Sequence, residues 1–146
     1  MNQAIRDFTQ CKRLAVVGVS RGGKKFGNAI LTELKARGFE TYPVHPEAGD
    51  INGEKCYPDL AAVAAMADGV IVCVKPLTAV NVVREAAAVG IKQVWLQQGA
   101  QSPEAVAAGQ ELGVNVVAGR CILMYLGEVR SFHAFHRGFE RLIGRY

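Results

Sequence analysis

The sequence predicts an α/β fold, a doubly wound parallel five-stranded sheet in the order 3-2-1-4-5, with a helix added at the C-terminus. Three observations carry that reading. Short apolar runs alternate with stretches of helical periodicity along most of the chain, as expected of strands and crossover helices joined by short turns. The run GVIVCV at 69–74 is apolar almost throughout, as a strand covered on both faces must be. The stretch RLAVVGVSRGGKKFGNAILTELKARGF at 13–39 runs from an apolar strand through a Gly/Lys-rich turn into a helix. Such a turn aims backbone N–H groups and the positive end of the helix dipole at one spot, where phosphate oxygens bind.

Taken in order, residues 1–12 form a short leading helix or arm that packs Ile5 and Phe8 on the body. The first strand is 14–19, and the first helix starts near Gly27 and runs to Arg37, with Gly38 as its C′ glycine. FETYPV at 39–44 is the second strand and ends in His45-Pro46. Residues 49–64 read as a turn, a connection through Tyr57-Pro58 and a short helix capped by Asp59. The strand at 69–74 ends in Lys75-Pro76, and Thr78 is placed to cap a helix over 79–89 that Gly90 terminates. QVWLQ at 93–97 is the next strand. Ser102-Pro103-Glu104 opens a helix lasting to Leu112, with a serine N-cap and a proline in the first turn, and VNVVA at 114–118 is the last strand.

In a sheet of this kind, ligands bind outside the carboxyl ends of the strands, where the winding reverses. The segments brought there are 18–27, His45-Pro46, Val74-Lys75-Pro76 and Gln97-Gln98-Gly99. The glycine spacing of GVSRGGKKFG is not the G-x-G-x-x-G of dinucleotide-binding turns, because Ser20 stands at the second glycine position. Nor is it a P-loop, since no G-K-[ST] follows Gly18. A phosphate cradle survives both exclusions, with Gly18, Gly27 and Asn28 in the turn, Ser20 as hydroxyl donor, and Arg21, Lys24 and Lys25 as positive charge. The bland alternative is a solvated basic loop. No acidic residue occupies positions 44–46 after the second strand, which counts against a nicotinamide dinucleotide. Pro46 there is either a shelf for an adenine ring or a proline that merely stops the strand.

The chain has 146 residues, half of them apolar, which suits a single core, and a formal charge of +4. No continuous basic helix face or interleaved aromatic and basic signature points to nucleic acid. No apolar run reaches membrane-span length and residues 1–13 lack a signal-peptide core, so a cytoplasmic protein with no membrane association is expected. Cys11, Cys56, Cys73 and Cys121 are widely spaced, with no metal-binding or redox C-x-x-C pair, and Cys73 reads as a small core residue.

With VVGVS at 16–20, GFETYPVHP at 38–46, GEKCYPDL at 53–60, VWLQQG at 94–99 and VVAGRC at 116–121, the chain resembles the stand-alone CoA-binding proteins. Their Rossmann-like domain also occurs in the alpha subunit of succinyl-CoA synthetase. The resemblance covers roughly residues 12–122. It implies a ligand, coenzyme A or an acyl-CoA, with its phosphates at Ser20, Lys24 and Lys25. The adenosine end would lie against Pro46 and the segment Val74, Lys75, Pro76, and the pantetheine arm toward Gln97, Gln98 and Cys121. His45 departs from the family's usual Asn, and Gly27-Asn28 stand where many members carry a hydroxyl and an aromatic residue.

No catalytic or metal-binding constellation stands out: there is no G-x-S-x-G elbow and no paired carboxylates near the expected cleft. The chain is too short for the further domains of the ligases it resembles. A non-catalytic carrier, sensor or regulatory subunit is therefore expected. The alternatives are an NAD(P)-dependent oxidoreductase and a small acyltransferase working through Cys121. The expected domain spans 1–122. Residues 123–146 contain SFHAFHRGFERLI, whose Phe132, Phe135, Phe139 and Leu142 recur at helical spacing, for packing on the same domain or in a homodimer. His133 and His136 within it are read as boundary histidines rather than metal ligands.

Overall fold

The computed structural model describes residues 2–127 apart from 24, 48 and 52, so Lys24 and the expected C-terminal helix with His133 and His136 lie outside the described residues. The strands of the main sheet are β1 (Arg13–Val17), β2 (Glu40–Val44), β5 (Gly69–Val72), β6 (Gln93–Leu96) and β7 (Asn115–Ala118). A two-stranded antiparallel ribbon, β3 (Asp50–Ile51) with β4 (Glu54–Lys55), follows β2. The helices are α1 (Gln3–Phe8), α2 (Phe26–Ala36), α3 (Pro76–Ala88) and α4 (Pro103–Leu112).

The main sheet is parallel throughout, in the order β2-β1-β5-β6-β7. Numbered in chain order, these five strands run 2-1-3-4-5. The short segment at Tyr57 bridges in parallel to Val44, and counting it third gives 3-2-1-4-5-6, the expected 3-2-1-4-5 with one further strand at the end. Strand alternation sorts the side chains onto two faces. Leu14, Val16, Ile71, Trp95 and Val117 pack with Ile5 and Phe8 of α1 and Ile30, Leu31 and Leu34 of α2. Ala15, Val70, Val72, Val94 and Leu96 pack on the other face with Val82 and Val83 of α3 and Ala105 and Ala108 of α4. The helices on either side of the β1–β5 boundary thus cover opposite faces. That reversal opens the crevice at the strand ends.

Local chemistry sets the element ends. Arg37 and Gly38 close α2 in a Schellman motif, Phe39 N–H donating to Leu34 O and Gly38 N–H to Lys35 O, with Gly38 at φ 92°. Ser102 caps α4 by accepting from Ala105 N at 3.1 Å, and Pro103 takes the first turn as the sequence indicates. Two helix expectations need correction. α3 starts at Pro76 rather than after Thr78, because proline with its fixed φ is already suited to the first helical position, and Thr78 lies inside the first turn. The segment after Asp59 makes a single 3-10 turn at Ala61–Val63, although Asp59 Oδ1 does accept from Ala62 N at 3.0 Å. Residues 54–55, read as part of a loop, pair instead in the β3–β4 ribbon.

The end of the described chain is pinned to the sheet. Trp95, fully buried, donates from Nε1 to Arg120 O at 2.8 Å and packs between Phe8 and Tyr125, with ring centroids 5.3 and 5.6 Å away. Arg37, only 2 % exposed, donates to the Leu123 and Leu126 carbonyls and pairs with Glu33 at 3.1 Å. A buried guanidinium held by carbonyls and a carboxylate fixes residues 121–127 against the end of α2.

Candidate functional site

A cleft of about 500 Å³ opens where β5 and β6 end. Lys25 and Phe26 at the start of α2 line one side, and Lys75 and Thr78 at the start of α3 line another. Its floor is Cys73, Val74 and Gln97, and its far rim Gln98, Gly99 and Ala100. Of the sequence-predicted site residues, Lys25, Val74, Lys75, Gln97 and Gln98 therefore meet in one place. A second depression of about 540 Å³ lies against α4, around Pro103, Val106 and Ala107, and its lining carries no ionisable side chain.

The helix ends give the cleft its electrostatic character. Neither α2 nor α3 has a side-chain cap or an acidic residue in its first turn, and the N-cap positions are Lys25 and Lys75. A lysine there adds positive charge to a helix end that is already positive, and is unfavourable by about 0.3–1 kcal/mol. By contrast α4, whose first turn faces the other depression, has Ser102 as cap and Glu104 in its first turn. Two uncapped helix ends and two lysines concentrate positive potential on the cleft between them.

Glycine allows the turn after β1 to lie close against β5. Gly18 has φ 113°, and a Cβ on it would lie 2.4 Å from the Cys73 carbonyl oxygen. A Cβ on Gly27 would lie 2.5 Å from the Gly18 oxygen, so α2 seats directly on the turn. These two glycines pack elements together. Asn28 is 3 % exposed and spends its amide on Ser20, accepting from the Ser20 N–H at 2.9 Å and hydroxyl at 3.3 Å and donating to the Ser20 carbonyl at 3.0 Å. It shapes the turn and does not face the cleft with a free group.

Arg21 is exposed and pairs with Glu47 at 3.8 Å, linking the β1 turn to the loop after β2. His45 is half-buried, its Nδ1 accepting from the Glu47 N–H at 3.0 Å, and Pro46 is exposed beside it. Pro76 occupies the first turn of α3, and Cys121 is half-buried next to Ile122, whose N–H donates to Gln97 Oε1 at 2.9 Å. Cys73, read from sequence as core, is half-buried in the cleft floor. Burial above all, and Cys121 nearby, push its thiol up to about 12. Phe26 and Ala100 are not singled out by the sequence, and Thr78 only as a helix cap. Phe26 carried a signal, since a large apolar side chain at the exposed start of a helix has no core to enter, and it is 55 % exposed.

Residues 12–127 match the family model described as a CoA binding domain. The chain belongs to that family. Among solved structures, this chain is similar to a conserved hypothetical protein from Pyrococcus furiosus, with 37 % identity, 76 % of this chain and 96 % of that one covered, and a TM-score of 0.72. A hypothetical protein from Pyrococcus horikoshii OT3 aligns over 99 % of this chain and 93 % of its own at 30 % identity, with a TM-score of 0.76. A curated relative, the ADP-forming acetate–CoA ligase II of Archaeoglobus fulgidus, is 38 % identical over 90 residues, which is 60 % of this chain but 13 % of the ligase. This chain thus matches about an eighth of that enzyme's length. Among the described residues no helix is long and apolar enough to cross a membrane.

Proposed function

We propose that the cleft binds coenzyme A or an acyl-CoA and that the domain acts without catalysing a reaction itself, as a carrier, sensor or regulatory subunit. The observation that carries this reading is the pair of uncapped helix ends with Lys25 and Lys75 in their N-cap positions, which open on the same cleft in a chain of the CoA-binding family. Two positive centres suit a ligand with several phosphate groups. The diphosphate would rest on the first turn of α2, with Ser20 held in place by Asn28. The adenosine end would reach toward Arg21, His45 and Pro46, and the pantetheine arm toward Gln97, Gln98 and Cys121. The mostly neutral floor and rim of the cleft, around Cys73, Val74 and Ala100, suit the arm.

One observation favours a second reading. Glu47, three residues beyond the end of β2, lies beside Arg21 at the mouth of the β1 turn, where an acidic residue would take the ribose hydroxyls of a nicotinamide dinucleotide. Isothermal titration calorimetry of ligand-stripped protein against CoA, acetyl-CoA, NAD and NADP separates the two. Micromolar or tighter binding of CoA with little response to the nicotinamides is expected. Binding of a nicotinamide dinucleotide without CoA would overturn the proposal. Acyl transfer through Cys121 would instead require that Cys121→Ser abolish turnover of an acyl-CoA while leaving its affinity nearly intact.

A further inference from the structure

We infer that Gln97 is a specificity residue whose Nε2 donates a hydrogen bond to a carbonyl oxygen on the thiol-end arm of the ligand; this rests on the CoA reading above. Gln97 follows β6 directly, and its N–H donates to Val72 O at 3.0 Å, which extends the sheet ladder by one residue. It is 1 % exposed, yet it is part of the cleft lining. Its Oε1 accepts from the Ile122 N–H at 2.9 Å. That bond fixes which end of the amide is which, since the reversed orientation would set an NH2 group against another N–H. The NH2 end is left buried without a protein partner among the described residues.

Among the described residues, each of the other buried polar side chains has protein partners. Asn28 bonds Ser20, Arg37 bonds Glu33 and two carbonyls, and Thr41 bonds Glu54. A buried donor in a close-packed interior ordinarily finds an acceptor, so Gln97 marks the place where the cleft awaits one. The acceptor should be neutral. Anionic groups are matched by the helix ends and lysines on the other sides of the cleft, whereas next to Gln97 stand Val74, Ala100 and the protonated thiol of Cys73. Neutral acceptors on the ligand are the amide carbonyls of pantetheine and, in an acyl-CoA, the thioester carbonyl. A site with a buried donor discriminates strongly against a ligand that leaves the donor unpaired.

The test is calorimetric titration of wild type and Gln97→Met with four ligands: acetyl-CoA, CoA, S-ethyl-CoA, which replaces the thioester by a thioether, and 3′-phospho-ADP, which has no arm. The expected result is about a tenfold loss of acetyl-CoA affinity in the variant, as for removal of one hydrogen bond, with 3′-phospho-ADP unchanged. If CoA and S-ethyl-CoA hold their affinity in the variant, the acceptor is the thioester; if they fall equally with acetyl-CoA, it is a pantetheine amide. No loss for any arm-bearing ligand, or an equal loss for 3′-phospho-ADP, would overturn the inference and leave the CoA reading standing. Failure of wild type to bind any of the four would instead remove the CoA reading. Should Gln97→Met not fold, the side-chain amide resonance of Gln97 in wild type answers the same question. It should move with arm-bearing ligands and stay with 3′-phospho-ADP, and a resonance that no arm moves would overturn the inference.

Discussion

Asn28 grips Ser20 by both ends of its backbone, accepting from its N–H at 2.9 Å and donating to its carbonyl at 3.0 Å across eight residues of chain. In a basic, glycine-rich turn, one buried amide thereby fixes Ser20 in place.

Asn28→Ala should therefore cost more than its size suggests. It strips partners from a part-buried N–H and carbonyl at once, which destabilises by about 1–3 kcal/mol, and it loosens the turn. Ser20→Ala removes only the 3.3 Å hydroxyl contact and should be the milder change in both stability and CoA affinity. Thermal melting and calorimetry on the two variants decide the matter. A larger loss of CoA affinity in Ser20→Ala than in Asn28→Ala would mean that the hydroxyl itself touches the ligand and that preorganisation counts for little.

Lys75→Ser should move stability and binding in opposite directions. Serine at the N-cap of α3 accepts from a free N–H of the first turn and removes a charge of the wrong sign, so the ligand-free protein should gain about 1 kcal/mol. The same exchange removes a cation from the cleft, and CoA affinity should fall and become less sensitive to salt. A variant that binds CoA as tightly as wild type would show that Lys75 stands clear of the phosphates.

These residues also show how far the sequence could be read. Strand, glycine turn and helix at 13–39, and the serine cap and proline of α4, are legible because each rests on neighbours in the chain. Thr78 gives a misleading cap signal because two local signals compete within three residues and proline prevails. The roles of Arg37 and Gln97 depend on what lies across the fold. Arg37 looks like any solvated residue at a helix end, yet it is buried under carbonyls of residues 123 and 126, more than eighty positions away. Gln97 and Gln98 are indistinguishable in sequence, yet in the fold Gln97 is buried and accepts from the Ile122 N–H while Gln98 is exposed.

Asp68 should shape the acid limb of stability. Burial, the largest single influence, raises its carboxyl, but hydrogen bonds from the Arg13 side chain and from the Lys12 and Arg13 N–H groups together outweigh it and hold the value below the usual range. With the folded value depressed, the carboxylate contributes stability above the unfolded value of about 3.9, and that contribution is lost as pH falls through the folded one. Asp68→Asn should lower stability at neutral pH and flatten the curve between about pH 4 and the folded value. Melting temperatures across pH 2–7 test this, and an unchanged acid slope in the variant would assign the acid limb to other carboxylates.

Cys73 bears on whether the cleft does chemistry. A thiol at the floor of a ligand site invites comparison with a nucleophile, but attack on a thioester needs the thiolate, and burial holds this thiol protonated up to about 12. Because the raised value disfavours ionisation in the folded state, the fold should lose stability as pH rises from the unfolded thiol value, near 8.5, toward that limit. Iodoacetamide at pH 8 should leave Cys73 unlabelled in the native protein and label it on unfolding, as read by mass spectrometry of the peptides. Rapid native labelling would mean a thiolate in the cleft and would return acyl transfer to the front. Protection, with bound acetyl-CoA recovered intact after hours, is what a site that holds a thioester without cleaving it requires.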